Sequence, residues 1–203
     1  MKVVPLCAQS FGANTYLLIS GAHALVVDPA VSVEAILHAA KRENAYPEGI
    51  LLTHGHFDHL LSLDTLRTAL PIKAWIHTAD AELLSDGRKN AFYSFFGKDR
   101  SFRPAEELLR DGQILALGQE TITVLHTPGH TPGSVCFLCG DSLLSGDTLF
   151  ADSYGRCDLW GGSMEQLCSS LATLRTLPPT LTLYSGHGPQ ARLSHALDNV
   201  AYL

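Results

Sequence analysis

Short apolar runs alternate along the chain with stretches of helical periodicity, and the runs stop abruptly in Gly, Pro, Thr or Asp. Thr15 to Ser20 and Ala24 to Val27 read as two strands, Ile50-Leu51-Leu52 as the end of a third, and Thr121 to Leu125 as another. Ser134 to Leu138, Ser142 to Leu144 and Leu181 to Tyr184 repeat the pattern later in the chain. Between them Val33, Ile36, Leu37 and Ala40 fall at helical spacing, as do Met164, Leu167, Cys168, Leu171 and Leu174. Ser163 stands three residues before Gln166 in the form of a capping box, and Pro178-Pro179 ends that helix. A further apolar helix is expected over Leu60 to Leu70.

The two halves echo each other. In the first, two strands lead to Asp28, a helix, and a strand ending at His54; in the second, two strands lead to Asp147, a helix, and a strand ending at His187. Each helix has one apolar stripe for packing on a sheet, so the halves predict an α/β fold, a four-layer αββα sandwich with an open, shallow groove at one edge. No linker-like stretch divides the chain, and one domain over residues 1–203 is expected. The segment 89–104 breaks the pattern with Phe92, Tyr93, Phe95, Phe96, Lys98, Arg100, Phe102 and Arg103 in close succession. It reads as a covering loop or short helix, either an aromatic and basic lid for an acyl substrate bearing a carboxylate or ordinary packing.

The chemistry concentrates where strands end. Thr53-His54-Gly55-His56-Phe57-Asp58-His59 follows the third run directly, and the alternation of His54 and His56 with Gly55 and Phe57 lets both rings point the same way. His130 lies in a Pro- and Gly-framed turn, Asp147 in Ser145-Gly146-Asp147-Thr148, and His187 in Ser185-Gly186-His187-Gly188. Seven imidazole and carboxylate ligands are too many for one tetrahedral ion and suit two ions sharing a carboxylate. The expected assignment is His54, His56 and His130 on one metal, Asp58, His59 and His187 on the other, and Asp147 bridging. The absence of Cys from the set favours a catalytic site over a structural one. Two Zn²⁺ fit best, while the same ligands also admit Fe or Mn.

On these residues the chain resembles the metallo-β-lactamase superfamily, and more narrowly its small glyoxalase II-like hydrolases. The resemblance covers nearly the full length. It rests on Asp28 in Val26-Val27-Asp28-Pro29, the His54 to His59 motif, His130 in its Thr-Pro-Gly-His-Thr-Pro-Gly-Ser frame, Asp147, Gly155-Arg156-Cys157-Asp158, and His187. It implies that Asp28 supports the metal site from behind. It also implies that Arg156 and Asp158 pair to fix the loop after Asp147, or meet substrate. Two departures stand out: Leu60, Leu61 and Ser62 occupy places where the family usually has small residues, and glyoxalase II continues into a helical glutathione-binding domain where this sequence ends at Leu203.

The implied activity is hydrolysis of a small thioester, with hydroxyacylglutathione the leading candidate by resemblance. Two ions would activate a water and polarise the carbonyl, Asp58 or Asp147 would orient the nucleophile and carry its proton, and the thiolate would leave with little acid assistance. Competing readings are a mononuclear iron persulfide dioxygenase of the same superfamily, a lactonase or β-lactamase, and a metal-holding interaction module. Metal count and dioxygen uptake separate the first two.

Composition narrows the partners. A formal net charge of -6 and a pI near 5.9 argue against nucleic acid, leaving a small-molecule substrate, with the oligomeric state open. Met1-Lys2-Val3-Val4 opens straight into strand-like sequence, and no run of about 18 apolar residues occurs, so a cytoplasmic protein without membrane contact is expected. Five scattered Cys fit a reducing compartment. Cys136 and Cys139, three apart in a strand, should face opposite sides as small buried apolar groups. His23, His38, His77, His126 and His195 have no ligand-like setting, and His126 should be packed or hydrogen-bonded.

Overall fold

In the computed structural model, which describes residues 1–7 and 13–202, the apolar runs pair into two six-stranded sheets. The first carries β1 (Lys2–Leu6), β2 (Thr15–Ser20), β3 (His23–Val27), β4 (Tyr46–Leu51), β5 (Lys73–His77) and β6 (Glu107–Leu109), side by side in chain order. The second carries β7 (Ile114–Leu117), β8 (Glu120–His126), β9 (Val135–Cys139), β10 (Ser142–Gly146), β11 (Thr182–Ser185) and β12 (Ala191–Arg192), also in chain order. The internal echo is real at the level of pairing. Antiparallel β2–β3 crosses through helix α1 (Val33–Arg42) to a parallel β4, and antiparallel β9–β10 crosses through a later helix (Met164–Leu174) to a parallel β11.

Strand alternation sorts side chains into three cores. Leu17, Ile19, Ala24, Val26 and Ile50 pack outward under α1 and α2 (Leu63–Ala69), while Leu18, Leu25, Val27 and Leu51 face inward between the sheets. Val135, Phe137, Cys139 and Leu144 meet them from the second sheet. Cys136, Leu143 and Leu183 point to the outer layer formed by the helix at Met164–Leu174 and a last helix at Leu193–Asn199. The result is four layers, αββα. Cys136 and Cys139 lie in different cores, as their spacing predicts, and all five cysteines are free. Phe137 is fully buried between the sheets. Phe137→Ala should therefore cost about 3–5 kcal/mol, read as a lower urea midpoint at unchanged slope.

Three local expectations shift. The helix expected from Leu60 begins at Leu63, because Phe57–His59 forms a 3₁₀ turn and Pro29 O accepts from Ser62 N. Only half of the capping box forms: Ser163 Oγ accepts from Gln166 N, but Ser163 N is taken by Gly129 O. The segment 89–104 holds one short helix, α3 (Phe92–Phe96), bracketed by Ala91 at φ 69° and Gly97 at φ 63°. The helices at Met164–Leu174 and Leu193–Asn199 are α4 and α5. Among the described residues no helix is long and apolar enough to cross a membrane.

Candidate metal centre

All seven sequence-selected ligands follow strand ends, and the fold brings them together. β4 delivers His54 and His56, and the 3₁₀ turn presents Asp58 and His59. His130 comes from the β8–β9 connection, Asp147 directly follows β10, and His187 follows β11. His54, His56 and His130 each offer a donor atom within 4.8 Å of the others, and Asp58, His59 and His187 do the same. Asp147 stands between these groups: Oδ1 lies 3.2 Å from His59 Nε2, and Oδ2 lies 3.6 Å from His130 Nε2 and 3.5 Å from His187 Nε2. Asp58 Oδ2 is 3.3 Å from His187 Nε2. The β11 loop can approach this closely because residue 186 is Gly; a Cβ there would sit 2.1 Å from Asp147 Oδ1.

Backbone and side-chain partners aim the rings. His59 Nδ1 donates to Asp28 Oδ2 at 2.8 Å, and His130 Nδ1 donates to the Arg156 carbonyl at 2.7 Å. Thr53 Oγ1 donates to Asp28 Oδ2 at 2.6 Å and therefore accepts from His54 Nδ1 at 3.1 Å. His54 and His130 are thereby left with an Nε2 lone pair turned inward, and His59 presents its Nε2 to the same centre. Asp28 thus sits behind the site, as the resemblance implies, holding an unusual φ of 50° and also binding Thr53 N. Asp28→Asn keeps an amide oxygen for Thr53 N and tolerates the left-handed backbone, but it sets an NH₂ against two donors. Metal affinity, measured against a competing chelator, should fall by about 10–100-fold.

The electrostatics divide the two groups. Burial, followed by neighbouring imidazoles, holds the His54 pKa well below its usual value, and burial with His130 alongside lowers His56 to about 3. His54 and His56 are therefore neutral and ready to ligate at neutral pH. Burial also opposes charge on His59, but Asp147, Asp28 and Asp58 together outweigh it and raise its pKa well above the ordinary value. Burial would raise Asp58 and Asp147, yet His59 and the other imidazoles hold both below the usual carboxylate range. This corner stabilises a positive charge.

The donor set fits cations. The inward Nε2 atoms of His54 and His130 face each other at 3.2 Å as two lone pairs, and His56 Nδ1 is 2.8 Å from His130 Nε2. A tetrahedral ion with Zn–N bonds of about 2.0–2.1 Å places its ligand atoms at about this separation. His59 Nε2 and Asp147 Oδ1 are buried without a hydrogen-bond partner among the described residues, an arrangement a cation between them would satisfy.

One supporting residue escaped the sequence reading. Asp80, fully buried, accepts from Gly55 N at 2.9 Å, from Thr131 Oγ1 at 2.7 Å and from Gly133 N at 2.6 Å, tying the His56 loop to the His130 loop. Its signal was an Asp just beyond the strand-like Ala74 to His77. His126 is hydrogen-bonded, as expected, with Nε2 donating to Pro132 O, and it stacks on His77 with ring centroids 4.0 Å apart. His195 is exposed and meets Asn199.

A cleft of about 430 Å³ opens over the candidate ligands, and Phe95 of α3 contributes to its lining. His56, Asp58, His130, Asp147 and His187 contribute to its lining together with Phe57, Ala91, Phe95, Phe150, Leu159 and Arg156. Arg156 and Asp158 form a bidentate pair at 2.6 and 2.7 Å, and Arg156 is among the residues lining the cleft. The basic members of 88–103 do not line it. Lys89 pairs with Glu82 and lies over Trp160, Arg88 stacks on Tyr93, Arg100 on Phe92 and Phe102, and Arg103 meets Asp64.

Comparison with known proteins places this geometry in context. The sequence model described as the metallo-beta-lactamase superfamily matches residues 9–187. A probable metallo-hydrolase of Bacillus subtilis, YqgX, is 36% identical over 94% of this chain and 92% of its own. Among solved structures, the BLEG-1 B3 metallo-beta-lactamase superimposes with a TM-score of 0.90 at 35% identity over 97% of both chains. TTHA1623, solved in a di-iron-bound form, superimposes with a TM-score of 0.87 at 32% identity, covering 99% of this chain and 100% of that one.

Proposed function

The chain belongs to the metallo-beta-lactamase superfamily, and on that premise we propose that it is a dinuclear zinc hydrolase of small thioesters. The observation that carries this reading is the place of Asp147, with one oxygen toward His59 and the other toward His130 and His187. In this reading His54, His56 and His130 hold one ion, Asp58, His59 and His187 the second, and Asp147 both. Ions there would polarise a carbonyl oxygen and lower the pKa of a water to about 7. The imidazole and carboxylate donors favour Zn²⁺, and the di-iron form of the similar TTHA1623 makes iron the principal alternative occupant.

Asp58 lines the cleft and stays ionised at neutral pH, so it can orient the attacking water and receive its proton. Asp147, the other lining carboxylate, is ionised as well, and lowering of the His56 pKa to about 3 removes that ring as an acid. Both carboxylates of the described cleft lining thus start ionised, and neither begins the reaction as an acid for a poor leaving group. A thiolate needs no such help, which favours a thioester over an amide.

The test is a panel of a hydroxyacylglutathione, a neutral thioester, a lactone, a β-lactam and a persulfide, offered to zinc-loaded protein. Thioester cleavage should reach kcat/KM of about 10⁴ M⁻¹s⁻¹ or more and exceed the lactone and β-lactam rates by about a hundredfold. A β-lactam or lactone turned over faster than every thioester, or a persulfide consumed with dioxygen, would overturn the reading.

A further inference from the structure

The cleft has a polar floor and an apolar wall. Beside the candidate ligands it is lined by Phe57, Phe95, Phe150 and Leu159, with Phe95 45% exposed and its ring centroid 5.5 Å from that of Phe57. Phe95 belongs to α3, whose two ends are fixed by left-handed residues, so its ring is held over the cleft by a short, defined element. Arg156 is the single Lys or Arg among the lining residues, and its guanidinium is already engaged by both oxygens of Asp158. Arg88, Lys89, Arg100 and Arg103 are turned to Tyr93, Glu82, Phe102 and Asp64, and Lys98 is not among the lining residues.

Away from the metal centre, a substrate carboxylate entering such a site would lose hydration without gaining an uncommitted Lys or Arg among the described lining residues, whereas each methylene laid on the aromatic wall gains from leaving water. Glutathione carries two carboxylates and would meet that cost at its thiol portion. Building on the thioesterase reading, we infer that the preferred thioester carries an uncharged, apolar acyl chain seated against Phe95. Phe95 is thereby a specificity-determining residue.

The experiment compares lactoyl, acetyl and hexanoyl thioesters of one neutral thiol, N-acetylcysteamine, together with lactoylglutathione, on the zinc-loaded protein and on Phe95→Ala. From acetyl to hexanoyl, kcat/KM should rise at least about tenfold, with both lactoyl esters below hexanoyl, and Phe95→Ala should bring the hexanoyl-to-acetyl ratio close to one. Lactoylglutathione preferred over hexanoyl, or a ratio untouched by Phe95→Ala, would overturn the inference. Calorimetry with uncleavable hexyl and methyl thioethers of the same thiol supplies a readout independent of turnover. The hexyl compound should bind about tenfold tighter and with the more negative heat-capacity change. If no thioester is cleaved, the thioesterase reading fails, and equal binding of the two thioethers would separately defeat the apolar seat.

Discussion

Replacing Asp147 by Ala is expected to lower thioester kcat/KM by roughly 10³-fold or more and to weaken metal binding at both donor groups. The magnitude follows from its position. Asp147 is buried, its Oδ1 has no hydrogen-bond partner among the described residues, and its two oxygens reach His59 on one side and His130 and His187 on the other. Removing it takes one negative charge from between two sites that each concentrate donors for a cation. Asp147→Asn, similar in shape but uncharged, should fall most of the way with Ala, which separates loss of charge from loss of packing. Metal titration followed by steady-state kinetics checks both. A variant that kept full metal content and rate would remove Asp147 from the centre of the site.

Stripping the metal should have the second large effect, on stability as well as on turnover. Without a cation the inward lone pairs of His54 and His130 face each other at 3.2 Å, and the depressed pKa of His54 denies that ring an easy proton in compensation. At free metal a hundredfold above the dissociation constant, each occupied site adds about 2.7 kcal/mol, which for a chain of this length corresponds to a rise in Tm of about 5–10 °C per site. Chelator-treated protein should therefore melt lower and lose thioester cleavage, and Zn²⁺ should restore both. Unchanged cleavage in metal-free protein would contradict the mechanism.

Much of the candidate site was legible because its residues cluster in the loops that follow apolar runs. A strand end followed by Gly and His needs no tertiary information to be recognised, and the paired echo around Asp28 and Asp147 announced the two-sheet architecture. What the sequence hid depends on contacts between distant segments. Asp80 is ordinary in its local setting, and its partners lie 25, 51 and 53 positions away. The basic residues of 89–104 suggested a charged lid, but Lys89, Arg100 and Arg103 are turned to Glu82, Phe102 and Asp64, and Phe95 of α3 lines the cleft instead. Leu60 continues an apolar helical pattern, yet Leu60 N donates to Phe57 O in a 3₁₀ turn and Ser62 N to Pro29 O, a contact with a distant segment that delays the helix to Leu63.

The most direct test of a two-metal site bridged by Asp147 is metal content per chain in the native protein and in Asp58→Ala, measured with thioester and persulfide turnover on the same samples. Asp58 belongs only to the second donor group, 3.3 Å from His187. Two metals in the native protein, falling to about one in Asp58→Ala with much slower thioester cleavage, is the expected result. One iron per chain in both proteins, with dioxygen taken up on a persulfide, would contradict it.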